Sequence, residues 1–328
     1  MAKLRADVVH DLQASEPEVR LGLTRAGVTG VHKAIRIRHA GHEKTFAAEV
    51  SCTVDLDPAL KGVHMSRFSE SFNTMLLGEA IDEIVIGEAF HVETLAEHIA
   101  RQILDRQSAL RAEVRIEAQY PLERRTPVTG LPTQEIASLI GIAAASARGV
   151  RRVVGVEASG INACPCAQGL VRGAAAERLL EAGFGDGDVE RILELVPLAT
   201  HNQRGRGTLL VGTEAKIDAA HLVDIVEQSM SSPVYELLKR PDELFVVEHA
   251  HLQPRFVEDS VRHALKSTLD RYPELDGSDF LFSRQVNLET IHRHDVVAER
   301  AGTVGELRGE LAGNVAGAHT ELHTWLSL

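Results

Sequence analysis

Two imidazoles and two thiols are the side chains in this sequence best suited to holding a metal ion. His292-Arg293-His294 lies late in the chain, and Cys164-Pro165-Cys166 lies near its middle. Residues 280–291 read as a closing strand that leads into the two histidines. On a strand, positions i and i+2 face the same way, so both rings can meet one ion. A thiolate with two imidazoles suits zinc or iron(II), and three protein ligands with room for water make a hydrolytic site. The histidine pair needs independent support, because 16 histidines in 328 residues give about one His-x-His by chance. The chain indeed carries a second match, His249-Ala250-His251.

Other segments gather charge. Lys61-Gly62-Val63-His64-Met65-Ser66-Arg67 offers a glycine, two fixed cations, an imidazole and a hydroxyl at an expected helix start, where backbone N–H groups favour phosphate. The bland alternative is a solvated loop and helix cap. Residues 199–207, Ala-Thr-His-Asn-Gln-Arg-Gly-Arg-Gly, read as a glycine-bearing loop suited to anions through Arg204 and Arg206, with His201 able to move protons near neutrality. Lys239-Arg240-Pro241-Asp242-Glu243 is expected to end a helical stretch at its proline, displaying two carboxylates. Glu258 and Asp259 open the next helix, where favourable interaction with the helix dipole is sufficient reason for them. The functional alternative gives one carboxylate to a metal shell and another to a guanidine-like edge with two N–H donors.

Composition narrows the class. A net charge of −12 argues against a nucleic-acid surface, which needs a basic face. It leaves room for one small anionic substrate. Three cysteines, Cys52, Cys164 and Cys166, make no disulfide framework and point to a reducing compartment. Residues 1–7 lack the apolar core of a signal peptide, and no run of 18 apolar residues exists, so a cytoplasmic protein without a membrane span is expected.

The elements that must position these groups follow from periodicity. Ala34–Arg38 and Thr45–Leu56 alternate as a hairpin around Ala40-Gly41-His42. Residues 66–106 carry helical spacing, clearest at Val92, Leu95, Ile99 and Ile103. Residues 112–118, 136–144 and 151–157 read as strands. The order strand, strand, helices, strand, strand then recurs imperfectly, with helices at 170–182, 219–230 and 254–272 and strands at 208–215 and 280–291. The division expected is an arm at 1–30, modules at 31–158 and 159–300 with an insert at 167–199, and a tail at 301–328.

Six segments in order, Lys61–Arg67, Ala163–Cys166, Thr200–Arg204, Leu238–Glu243, Phe256–Asp259 and Glu289–His294, closely resemble the type IB GTP cyclohydrolase I family over about residues 20–300. The long insert, Ser229–Tyr235 and His292-Arg-His294 look closer to its archaeal branch. The resemblance implies an α+β tunnelling fold, with two modules of four antiparallel strands and two helices on one face. It also implies a homo-oligomer, expected to be a tetramer, with sheets joined into a barrel and active sites between subunits. It implies that Cys164, Glu243, His292 and His294 hold one divalent metal (zinc, iron(II) or manganese), that Cys164 and His201 serve catalysis, and that Glu258 anchors guanine. Lys61, His64, Arg67, Arg204 and Arg206 are the candidates for the triphosphate of GTP. The implied reaction opens the guanine imidazole ring at C8, releases formate and recloses to 7,8-dihydroneopterin triphosphate in pterin and folate biosynthesis. The alternatives are the same chemistry ending in a 2′,3′-cyclic phosphate, a nitrile reductase of related fold, and a non-catalytic purine or metal binder.

Overall fold

A computed structural model describes residues 11–39, 42–77, 85–86, 89–315 and 319–327. Its contacts divide the chain into two units, Met1–Ala118 with Ile140–Val153, and Gln119–Leu139 with Val154–Leu326. The class is α+β.

The first unit opens on β1 (Leu23–His39) and β2 (His42–Leu56), an antiparallel hairpin that pairs Val31 with Val50 and Ile35 with Phe46. The expected arm therefore yields its last residues to β1, and the expected turn at 40–41 lies outside the described residues. α1 (Met65–Leu77), β3 (Val85–Ile86), β4 (Ala89–Phe90) and α2 (Val92–Gln107) follow. Three long strands come next, β5 (Arg111–Arg125), β6 (Pro132–Ser146) and β7 (Gly149–Ala163), each contributing residues to both units. β2 pairs antiparallel with β5, setting Val50 against Ile116. Every second residue of β5 from Ala112 to Ala118 is buried, the period-2 signature read from the sequence. Phe68, Phe72, Leu95, Ile99 and Ile103 bring α1 and α2 into the same core.

The second unit adds α3 (Pro165–Glu181), α4 (Asp186–Leu195), β8 (Asn202–Gly212), α5 (Ala219–Ser229), β9 (Ser232–Pro233), α6 (Arg240–Leu252), α7 (Val257–Arg271), β10 (Phe280–Leu288), β11 (Val296–Thr303), α8 (Val304–Leu311) and α9 (Leu322–Ser327). Its strand order is β7-β8-β10-β11. α5 and α7 pack on each other, α5 against β8 and α7 against β10 and β11. Leu209, Val211, Leu222, Val223 and Leu281 fill the layer between helices and strands. Two strands, two packed helices and two strands is the layout that the tunnelling-fold expectation requires. α3 and α4 occupy the expected insert as a helical pair, clasped by Arg172 and Glu190 at 2.7 Å.

Four expectations are corrected here. The segment 200–207 is mostly not a loop: β8 starts at Asn202, with Gln203, Gly205 and Gly207 buried and Asn202, Arg204 and Arg206 exposed. Its glycines answer a steric need, since a Cβ on Gly207 would stand 2.6 Å from Val226 Cγ1 and one on Gly205 2.9 Å from Met230 Sδ. Pro241 begins a helix instead of ending one, because a proline in the first turn loses no hydrogen bond. His292 and His294 stand on a seven-residue loop, not on a strand, because the ladder from β10 to β8 stops at Leu288–Arg204. The expected tail at 301–328 completes β11 and supplies α8 and α9, with Trp325 buried, donating to the Ser278 carbonyl at 2.8 Å and lying over Phe280.

Candidate active site

Cys164 is the N-cap of α3, in extended conformation, with Pro165 at the first helical position. The cysteine is half-buried and Cys166 is exposed, so the two thiols are not equivalent. The Cys164 N–H donates to the His201 carbonyl at 3.1 Å, and Thr200 Oγ1 donates to the Cys164 carbonyl at 2.9 Å. The thiol and the imidazole expected to serve catalysis are thereby tied by backbone. One step further along β8, Thr290 Oγ1 donates to the Asn202 carbonyl at 3.2 Å. This bond fastens the loop carrying His292 and His294 beside His201. The two loop imidazoles stack with ring centroids 5.1 Å apart and planes at 14°.

A buried polar network fixes where these elements emerge. Asn162, next to last in β7, donates to Asn287 Oδ1 at 2.9 Å and to Ser260 Oγ at 3.2 Å, and accepts from the Ser231 N–H at 3.0 Å. Ser231 Oγ accepts from the Ala163 N–H, and Gln285 donates to Asn287. β7, the segment after α5, the first turn of α7 and β10 are all held by one amide. Ser283, Gln285 and Asn287 take successive inward positions of β10, and Glu289 follows them at the same period. Sequence reasoning overlooked Asn162 and this row. A run of inward polar residues at period 2 on a strand otherwise flanked by apolar ones is the signal that could have found it.

Around His201 the surroundings are close and charged. His201 Nδ1 lies 3.1 Å from Gln203 Oε1 and 3.8 Å from Glu289 Oε2. The side chains of His201 and Glu289 are 14% and 5% exposed, and Glu289 Oε2 has no hydrogen-bond partner.

The remaining expected residues are more scattered. Glu243 is exposed on α6 and Glu258 exposed in the first turn of α7, neither paired with a described residue. The neighbour Asp242 is the buried carboxylate of its segment. Burial alone would raise its pKa, but donors from Thr129 (N–H and Oγ1), Lys239 and Val128 hold it at about 2. Asp242 is thus a cap joining α6 to the turn between β5 and β6. Arg204 and Arg206 extend from the outer face of β8 without an ion pair to any described residue. Lys61, His64 and Arg67 belong to the first unit. There Arg67 donates to the Arg106 carbonyl at 2.9 Å and His64 Nε2 meets Asp11 at 3.0 Å, so two of the three already have partners, while Lys61 is exposed. The competing pair His249 and His251 resolves into structure. It sits on α6, where His251 places its ring nitrogens on the Val247 and Thr200 carbonyls and His249 stacks on Phe245.

Among the described residues, no three His, Cys, Asp or Glu side chains gather into a metal-holding group. The donor chemistry nevertheless fits a divalent ion: a half-buried thiol, two stacked imidazoles and a buried carboxylate oxygen without a partner. Among the described residues, no helix is long and apolar enough to cross a membrane.

Comparison with known proteins supplies the lineage. The family model described as type I GTP cyclohydrolase folE2 matches residues 9–298. A GTP cyclohydrolase MptA of Methanococcus aeolicus is 39% identical over 309 residues, covering 92% of this chain and 98% of that protein. The proteins of the same name from Methanocaldococcus jannaschii and Methanothermobacter thermautotrophicus are 36% and 40% identical, each over 92% of this chain and over 97% and 95% of their own. Among solved structures, uricase from Arthrobacter globiformis aligns with 94% of this chain and 99% of its own at 10% identity and a TM-score of 0.49. On the family match and these relatives together, the chain belongs to the type I GTP cyclohydrolase folE2 family.

Proposed function

We propose that this protein is a GTP cyclohydrolase that opens the guanine imidazole ring at C8, releases formate and recloses the product as a dihydropterin. The observation that carries this reading is the triple tie at the start of β8, where backbone and side-chain bonds hold Cys164, His201 and the His292–His294 loop at one place. Family membership and relatives named GTP cyclohydrolase support the same chemistry.

Cys164, Glu243, His292 and His294 are the residues proposed to hold a divalent ion, which would activate water for attack on C8. The protein's own groups do the rest. Glu258 accepts the paired N–H donors of guanine and turns C8 toward the reacting centre, a contribution of orientation. His201, whose Nδ1 faces Gln203 Oε1, moves protons as the ring opens and recloses. Arg204 and Arg206, with Lys61 as a further candidate, carry the phosphates by charge-assisted hydrogen bonds. Active sites shared between copies of this chain are part of the proposal, because one chain leaves Glu243, Glu258, Arg204 and Arg206 exposed.

Two products follow from one ring chemistry. The triphosphate is the direct one. The archaeal relatives, with the resemblance to the archaeal branch, favour 7,8-dihydroneopterin 2′,3′-cyclic phosphate, and mass analysis of the pterin separates the two. The test of the whole reading is anaerobic purification, metal analysis and measurement of formate and pterin from GTP. Cys164→Ala and His292→Ala are expected to lose both bound metal and formate release; full activity in either sinks the ligand set. Glu258→Ala is expected to keep its metal and lose guanine binding.

A further inference from the structure

Cys164 and Glu258 are assigned to opposite ends of the substrate base, one at the metal and one at the N–H edge, and two short bridges join them. The first runs through side chains. Asn162 stands two residues before Cys164 and is fully buried. Its Nδ2 donates at 3.2 Å to the Oγ of Ser260, two residues after Glu258 in the first turns of α7. The second bridge runs through backbone. The N–H of Arg255, three residues before Glu258, donates at 3.0 Å to the carbonyl of Ala163, the neighbour of Cys164. Both bridges are anchored at their sides. The Asn162 amide also donates to Asn287 Oδ1 and accepts from the Ser231 N–H, so it cannot turn without breaking a buried hydrogen bond. Arg255 is held by its guanidinium, whose Nη1 donates to the carbonyls of Gln228 at 2.6 Å and Met230 at 3.3 Å. All of these residues lie in the second unit.

The shape of guanine gives this joint its importance. The ring system is rigid and planar, with the paired N–H donors on the six-membered ring and C8 at the far end of the five-membered ring. A protein that grips one end and reacts at the other must hold the grip and the reacting centre at one separation. We propose that Asn162, through Ser260, and Arg255, through Ala163, are positioning residues that fix the span from Cys164 to Glu258 and match it to the length of the guanine ring. This inference rests on the reading of Cys164 and Glu258 as metal donor and base anchor of one site. A loosened span leaves each end intact: the thiol still meets the ion and the carboxylate still accepts from the base. What is lost is the placement of C8, and a misplacement of about 1 Å can cost about 100-fold in rate. The loss therefore falls on kcat, not on KM.

The test measures formate release from GTP per zinc-loaded site, together with zinc content and Tm, for wild type, Ser260→Ala, Asn162→Ala and Thr268→Val. Thr268 is the control: it is buried on the same helix, two turns further along, and its Oγ1 donates to the Ala264 carbonyl. Ser260→Ala is expected to lower kcat about 10–100-fold, with KM for GTP within about threefold and zinc content unchanged. Asn162→Ala should lower it at least as far. Thr268→Val should lower Tm as Ser260→Ala does and leave kcat in place. A fall in kcat of less than about tenfold in Ser260→Ala overturns the inference, whether or not Asn162→Ala folds. So does a raised KM at unchanged kcat, which would make the bond a support of base binding alone. Zinc loss from Ser260→Ala overturns it by making the joint a support of the metal. An equal fall of kcat in Thr268→Val overturns it too, because helix stability and not the span would then set the rate. A wild type that releases no formate brings down the functional reading and this inference together, whereas an active wild type with an unaffected Ser260→Ala removes the inference alone.

Discussion

Arg204 and Arg206 are two guanidiniums on the exposed face of one strand, separated by a glycine whose missing side chain lets Gln285 and Met230 close in beneath. Residues i and i+2 of a strand stand on the same face, so both cations face the same region of solvent. On a chain with net charge −12, a polyanionic substrate needs such a local concentration of positive charge. Each charge-assisted bond to phosphate contributes about 1.5–3 kcal/mol. Arg204→Ala and Arg206→Ala are therefore each expected to raise KM for GTP at least tenfold, with a smaller effect on kcat and little on thermal stability. Steady-state kinetics at two salt concentrations check this, and an unchanged KM in both variants removes them from the phosphate site. Their exposure was legible in the sequence, because fixed charge is uncommon in a core. The burial of Glu289 was not legible: a glutamate before His-x-His reads as one more polar loop residue, and only its place against His201 separates it from the others.

At the scale of elements, the hairpin of β5 and β6 in the second unit meets α5 through Arg124, which bonds Asp224 at 2.6 Å and Glu227 at 3.3 Å. These residues line a cavity of about 860 Å³ with Glu135 and Tyr235. Burial pushes the Glu227 carboxyl up to about 7, with Glu135 and Asp224 adding to the rise and Arg124 opposing it. A carboxyl with a raised folded pKa binds its proton more tightly in the fold than in the unfolded chain. Its contribution is present below the unfolded value near 4.5 and is lost as pH rises through about 7. Glu227→Gln, which stays neutral, should flatten that part of the stability curve by on the order of 2–3 kcal/mol between pH 5 and 8. Urea titrations across this range test it, and parallel curves for the two proteins would dismiss the coupling. The strands and helices were mostly visible as periods of 2 and 3.6, but their ends were not. Pro241 starts a helix and Glu289 leaves a strand for reasons of hydrogen-bond supply that no hydrophobic pattern records.

At the scale of the molecule, a division into successive modules near residue 158 is replaced by two units that share β5, β6 and β7, each strand contributing residues to both. Periodicity gave the strands but no sign of where contacts change sides along them. A strand of 15 residues shows the same alternation whichever unit buries it. The site groups Cys164, His201, Glu243, Glu258, His292 and His294 all fall in the second unit, so a metal held there stabilises the fold by mass action. An ion present at about 100 times its Kd adds about 2.7 kcal/mol. With an unfolding entropy of about 2.1 cal/mol/K per residue, a cooperative transition of this chain should move by about 4 °C. Dialysis against a chelator is thus expected to lower Tm by about that amount, and readdition of zinc or iron(II) to restore it. Cys164→Ala should begin at the lower Tm and fail to respond to either treatment. A Tm indifferent to chelation in wild type, measured alongside its metal content, would mean that the donors around His201 hold no ion.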